Sequence, residues 1–352
     1  MTLSLLISFI FFTLTFTFFT TPLLANHENV LRYWKSSYPN IPIPSVISQS
    51  ISKMKPNDID MVVSLIKKQA LSSNLPYFCE TASLVCFHNV ATKCIGYYDS
   101  GPTKPPATKT PSHDMSPLPQ NNKLYLPANN KLYRGIFFRE SVLKNGAKFD
   151  MGNLEVDLSP AKAFLPYPIA SLLTPKQAQV LFSKTDIAHM MDNTISMCNS
   201  FMPGETRKCV SSVREIVNFP AEIFRDRRLK MLNPKSNAGS QKTVLLKNIR
   251  PVLRENPKAK FVSCHEVFFP YKLMYCHATS SVQVYEADLV HPETQEMVND
   301  GMFAVCHRDT SHWDPKHVSF SELKVGPGET EVCHWISTAN LAWVHLDDTI
   351  PS

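Results

Sequence analysis

Four times between residues 264 and 334 a cysteine is followed directly by a histidine: Cys264-His265, Cys276-His277, Cys306-His307 and Cys333-His334, the successive pairs being separated by 266–275, 278–305 and 308–332. Adjacent residues of a strand point to opposite faces. One sheet could therefore carry all four sulfurs on one side and all four imidazoles on the other. The first two pairs make this concrete. Phe269-Pro270-Tyr271-Lys272 reads as a turn, and a hairpin centred on Pro270 sets Cys264 opposite Cys276. In that register His265 and His277 are diagonal neighbours on the reverse face, roughly 7 Å apart at Cα. A slip of one residue would undo the arrangement.

The chain has nine cysteines: 79, 86, 94, 198, 209, 264, 276, 306 and 333. In an oxidising compartment most should pair. Cys198 and Cys209 enclose a Pro203-Gly204 turn and suit a local bridge, as do Cys79 and Cys86; Cys94 is then the odd one. A zinc finger is excluded by the lack of any Cys-x-x-Cys and by the compartment. A cysteine protease needs one free nucleophile, not four equivalent cysteines. With the sulfurs oxidised, only nitrogen ligands remain. Several neutral imidazoles suit copper or zinc, Cu(II) having the higher intrinsic affinity. The competing reading is four structural cysteines beside ordinary histidines. Fourfold repetition tells against it.

The compartment is read from the N-terminal segment 1–25. It carries no charged side chain, and Leu3–Phe19 is almost wholly apolar before Pro22 and a small residue at Ala25. This is the pattern of a secretory signal peptide. No later stretch approaches the roughly 20 apolar residues of a spanning helix, so no transmembrane span is expected after the leader is removed. The formal net charge of +6 is compatible with ordinary solubility and with a polyanionic partner such as acidic wall polysaccharide. No nucleic-acid-binding pattern is read. The cluster Arg225, Arg227, Arg228 and Lys230 reads as a solvated face.

Four regions follow: the leader (1–25), an upstream region with a short helix (26–98), a linker (99–134) and a globular domain (135–352). The linker holds Pro102, Pro105, Pro106, Pro111, Pro117, Pro119 and Pro127 among polar residues, too few apolar groups to order itself. In the upstream helix Asn57 or Asp58 is the expected cap, and Ile59, Val62, Val63, Ile66 and Ala70 form an apolar stripe. In the domain, Thr174-Pro175 opens one helix. Val210, Val213, Ile216 and Val217 mark another, which Pro220 is expected to stop. From Lys242 the apolar period becomes two. Helices first and strands later define an α+β fold: helices in the first half of the domain and a disulfide-stapled, mainly antiparallel sheet in the second.

The residues from Phe137-Phe138-Arg139-Glu140 to about Val344, some 60% of the chain, resemble the plant BURP-domain family. The four Cys-His pairs carry the likeness. Cys198-Asn199-Ser200-Phe201-Met202-Pro203-Gly204-Glu205 through Cys209, and Cys306-His307-Arg308-Asp309 through His317, support it. The middle gap, 278–305, is slightly long for the family. Phe78-Cys79 to Cys86-Phe87 resembles the branch of the non-catalytic beta subunit of polygalacturonase.

The resemblance implies a secreted protein of the apoplast, cell wall or storage vacuole, tied to development or stress, and two kinds of function. One is a non-hydrolytic accessory role, with pectin or polygalacturonase as partner. The other is a copper-dependent peptide cyclase, which oxidatively joins a Tyr or Trp side chain within a core peptide of the same or another chain. In either case His265, His277, His307 and His334 would hold copper, and they would act catalytically in a cyclase. Cys264, Cys276, Cys306 and Cys333 would form supporting bridges. His317 is a candidate partner of a copper ligand. Ile95, Tyr97 and Tyr98 form a possible core peptide, Tyr98 standing three residues beyond Ile95; the plainer alternative is a pair of ordinary loop tyrosines.

Overall fold

A computed structural model of the chain describes residues 30–86, 132–133, 136–151, 162–185, 187–234 and 243–351. The leader, Cys94, the candidate core Ile95, Tyr97 and Tyr98, and the proline-rich linker as far as residue 131 lie outside the described residues.

The helices come first. The upstream region holds α1 (Val30–Ser37), α2 (Ser45–Ser48), α3 (Pro56–Lys67) and α4 (Leu75–Thr81). The domain adds α5 (Tyr167–Ala170), α6 (Pro175–Leu181), α7 (Ala188–Asn199), α8 (Val213–Phe224) and later α9 (Val318–Leu323). Local chemistry accounts for several of these ends. Thr174 and Gln177 form a capping box around Pro175 at the start of α6. Ser212 and Glu215 do the same for α8. In α3 the cap is Lys55, with Pro56 at the first helical position, not Asn57 or Asp58. Pro56 fixes the helical φ itself, so both residues are carried inside the first turn.

Pro220 does not stop its helix. It lies inside α8, which runs on to a left-handed Arg225. An internal proline costs about 3 kcal/mol. Burial of Val213, Ile216, Val217, Phe219 and Pro220 on one face offsets that cost. Val210, grouped with this helix by its spacing, belongs instead to the strand Thr206–Val210 that precedes it.

The strands form two sheets. The five-stranded sheet runs β4 (Thr206–Val210), β8 (Leu273–Thr279), β7 (Phe261–Val267), β12 (Leu341–His345), β5 (Leu229–Met231). The seven-stranded sheet runs β1 (Leu132–Tyr133), β3 (Lys148–Asp150), β6 (Thr243–Pro251), β9 (Val282–Val290), β10 (Met297–His307), β11 (Val332–Ile336), β2 (Phe137–Phe138). The β1–β3 pair is parallel. The other pairings are antiparallel. This is the expected α+β class, with one correction: the four Cys-His pairs are divided between two sheets, two to each.

The inner faces of the sheets meet through Phe261, Ala342 and Val344 on one side and Val284, Phe303, Val305 and Ile336 on the other. The outer face of the five-stranded sheet carries Cys264, Cys276 and Trp343 against α8, Trp34, Tyr38 and Ile47. The outer face of the seven-stranded sheet carries Cys306, Cys333 and Trp335 against Phe138 and Phe149. A fourth apolar cluster joins α3 and α4 to the β7–β8 turn, with Val62, Phe78, Cys79 and Cys86 packed among residues that include Phe269 and Tyr271. The upstream apolar stripe therefore packs against the rest of the protein, as its spacing predicts.

Candidate metal centre

The alternation expected from sequence operates within each sheet. In the β7–β8 ladder Cys264 faces Cys276, Ser263 faces His277 and His265 faces Tyr275. In the β10–β11 ladder Cys306 faces Cys333, Val305 faces His334 and His307 faces Val332. Both ladders thus have the same unit, a cysteine rung with two histidines on the diagonal. The rungs are the disulfides Cys264–Cys276 and Cys306–Cys333. The local bridges Cys79–Cys86 and Cys198–Cys209 are also formed.

Because the sulfurs lie on the outer faces, all four imidazoles fall on the inner ones. The rings follow one another in the order His277, His265, His334, His307, with centroid separations of 5.3, 6.2 and 5.6 Å. The middle step crosses from one sheet to the other. One pair already stands at ligand distance: His265 Nε2 and His277 Nε2 are 3.2 Å apart. The Ser263 hydroxyl lies 3.1 and 2.9 Å from the same two nitrogens. Among the described residues no three His, Cys, Asp or Glu groups surround one point.

The donor set fits a late first-row metal. Two imidazole nitrogens about 2.0–2.1 Å from a shared ion stand about 2.9 Å apart at a right angle and about 3.3 Å apart at the tetrahedral angle. The observed 3.2 Å lies between these values. The protonation state of His265, His307 and His334 also fits. Burial pushes His265 well below the usual imidazole range, and the neighbouring His277 and His334 push it further. Burial likewise depresses His307, followed by repulsion from the other rings. For His334 burial outweighs the hydrogen bond its ring makes and brings it to about 4. Neutral imidazole is the form that ligates metals. His334 Nδ1–H donates to the Trp335 carbonyl at 3.1 Å, which leaves its Nε2 as the lone-pair nitrogen.

Two further histidines, His317 and His345, are placed as follows. His317 caps α9, with Nδ1 2.7 Å from the Ser319 hydroxyl. It touches the Trp313 ring, which in turn touches His307. His345 bonds Asp226 at 3.1 Å, beside the basic Arg225–Lys230 segment and outside the imidazole cluster. Sequence reading missed Ser263, Glu205 and Tyr275. Ser263 was findable, since it stands two residues before His265 and so shares its face. Tyr275 stacks on His277 at 5.4 Å, although it lies across the ladder from His265. Glu205 comes from a distant loop, and only the chain's path brings it to His277.

Two packed sheets, each with a disulfide rung and both feeding one imidazole cluster, define a disulfide-stapled domain built around a histidine cluster. The BURP domain matches residues 136–345, and the chain belongs to the BURP-domain family. The rice (Oryza sativa subsp. japonica) BURP domain-containing protein 16 is 30% identical over 337 residues, 93% of this chain and 91% of that protein. Polygalacturonase non-catalytic subunit AroGP2 of Solanum lycopersicum is 33% identical over 245 residues. Polygalacturonase-1 non-catalytic subunit beta of the same species is 35% identical over 222 residues. The matched regions cover 67% and 60% of this chain but only 38% and 35% of those tomato proteins. Among the described residues no helix is long and apolar enough to cross a membrane.

Proposed function

We propose that this chain is a secreted, non-hydrolytic accessory protein of the apoplast or cell wall that binds copper through His265, His277, His307 and His334. The observation that carries the metal assignment is the partly buried His265–His277 pair with facing Nε2 atoms 3.2 Å apart. The apolar leader supports secretion. The likeness to polygalacturonase non-catalytic subunits supports polygalacturonase or pectin as partner. Copper held there supplies one-electron redox chemistry. The chain's own residues keep His265, His307 and His334 unprotonated and hold the rings between the packed inner faces.

The test is metal analysis of the purified protein after copper loading and dialysis, beside His265→Ala and His334→Ala. Retention of copper by the parent and its loss from both variants is expected. Equal metal content in all three would refute the assignment. Passage over a pectate matrix at low salt tests the partner, and a protein that elutes unretarded is not a polygalacturonate binder.

One observation favours the cyclase as a second reading. A cleft lined by Met202, Gly204, Thr279, His312 and Trp313 also has His307 in its wall, so one ring of the cluster borders a surface cleft. In that reading each ring formed removes two hydrogens from the peptide, and dioxygen takes the electrons. Incubation with copper under air, followed by intact mass and digestion, should then show a loss of two hydrogens in a Tyr-bearing peptide. An unchanged mass at Ile95–Tyr98 disposes of self-cyclisation.

A further inference from the structure

The loop closed by Cys198 and Cys209, which lends Met202 and Gly204 to the cleft, ends against the imidazole cluster. Gly204 adopts φ +81° in it, a conformation that glycine takes without a side-chain clash. The Glu205 N–H then closes the turn onto the Met202 carbonyl at 3.2 Å. β4 follows at once and pairs with β8, placing Arg207 opposite His277 and Cys209 opposite Tyr275. The disulfide to α7 anchors the end of that strand.

The turn brings the Glu205 carboxylate to His277. Its Oε2 accepts from Arg207 Nε at 3.0 Å and from Arg207 Nη2 at 2.9 Å. The same oxygen stands 3.5 Å from His277 Nδ1. That is longer than an ordinary hydrogen bond, but Nδ1 is buried and has no hydrogen-bond partner among the described residues. The Tyr275 ring stacks on the imidazole, and the Arg207 guanidinium lies 5.9 Å from the Tyr275 ring. The opposite ring nitrogen, Nε2, faces Ser263 and His265.

We infer that the Cys198–Cys209 loop is a positioning device: it sets Glu205 beside His277 Nδ1, so that Nδ1 bears the ring's N–H and Nε2 presents its lone pair to the centre. A carboxylate repels a bare nitrogen lone pair and attracts an N–H, so the other tautomer is disfavoured at this distance. The Ser263 hydroxyl complements the choice by donating to Nε2. Histidine ligands characteristically use a carboxylate or carbonyl in this way; Trp335 plays the part for His334. The inference rests on the metal reading only for its consequence. The tautomer itself is a property of the metal-free protein.

The test therefore has two readouts. Long-range ¹⁵N–¹H NMR of the metal-free protein at neutral pH should report Nδ1-protonated His277. Glu205→Ala should move the proton partly or wholly to Nε2. Arg207→Gln, which removes the ion pair but keeps the carboxylate, should leave it on Nδ1. Copper affinity should fall about 10–100-fold in Glu205→Ala and less in Glu205→Gln, whose amide oxygen can still accept. An Nε2-protonated ring in the parent overturns the inference, as does an unchanged tautomer in a Glu205→Ala protein of native circular dichroism. Should Glu205→Ala not fold, the parent's tautomer and the Glu205→Gln ratio still decide. A parent that binds no copper refutes the metal reading alone.

Discussion

Acidification of the metal-free protein should weaken it over a window set by the imidazole cluster, not by the carboxylates. His334 is depressed from 6.5 in the unfolded chain to about 4 in the folded one, because burial outweighs its Trp335 hydrogen bond. Below pH 6.5 the unfolded state takes up a proton that the folded state refuses, so stability falls as pH falls. The loss continues until the folded pKa is reached. At about 1.36 kcal/mol per unit, the drop from pH 6.5 to 5 is about 2 kcal/mol from His334 alone, and by pH 4 about 3 kcal/mol. His265 and His307 act in the same direction. Carboxylates with lowered pKa contribute in the same sense but only further down. Glu205 is one: burial raises it, but His277 and Arg207 prevail and hold it below its usual range. In the interval from pH 6.5 to 5 the histidines therefore dominate, with Glu322, raised by burial, acting in the opposite sense. Urea unfolding with chelator present, disulfides intact, at pH 7, 6 and 5 measures the slope. His334→Gln, which cannot titrate, should remove the His334 share, about 2 kcal/mol over that interval. Equal slopes in the two proteins would refute the argument.

Two further predictions concern the scaffold. Replacing Cys306 and Cys333 together by serine releases a loop of 27 residues and should cost about 3.5 kcal/mol; the same change at Cys264 and Cys276, closing 12, should cost about 3 kcal/mol. Urea midpoints of the two double variants check the order, and a costlier loss at the shorter loop would contradict it. Phe78→Ala, outside the matched domain but fully buried in the cluster that includes Phe269 and Tyr271, should cost about 3–5 kcal/mol. A change below about 1 kcal/mol would show that the upstream region is dispensable to the core.

The parts of the centre legible in the sequence are those decided by local rules. A period of two put sulfur and imidazole on opposite faces. A proline turn of the right length put Cys264 across from Cys276 and made His265 and His277 diagonal neighbours, as observed. The division of the four pairs between two sheets was not legible, because periodicity describes one strand and says nothing about which strands share a ladder. Pro220 failed as a stop signal for a related reason. The cost of an internal proline is local, whereas the burial that offsets it comes from the sheet beneath α8. Glu205 shows the same limit more sharply. It is remote from His277 along the chain, and only the pairing of β4 with β8 brings the two together.

The division between sheets also explains why cysteine and histidine are adjacent at all. A one-residue slip in either ladder would turn its two imidazoles from the inner face to the outer one. A disulfide rung beside each pair forbids that slip covalently. The bridges observed do not join one sheet to the other: two lie within ladders, one closes the turn after α4, and one ties α7 to β4. The spacing between the sheets is set by buried side chains such as Val284, Val305 and Val344. Register within each sheet is therefore fixed by covalent bonds, and separation between them by packing. An ion shared by His265 and His334 would be a polar link across that packed layer. Its binding free energy would then add directly to the stability of the two-sheet arrangement, in proportion to RT ln(1 + [L]/Kd).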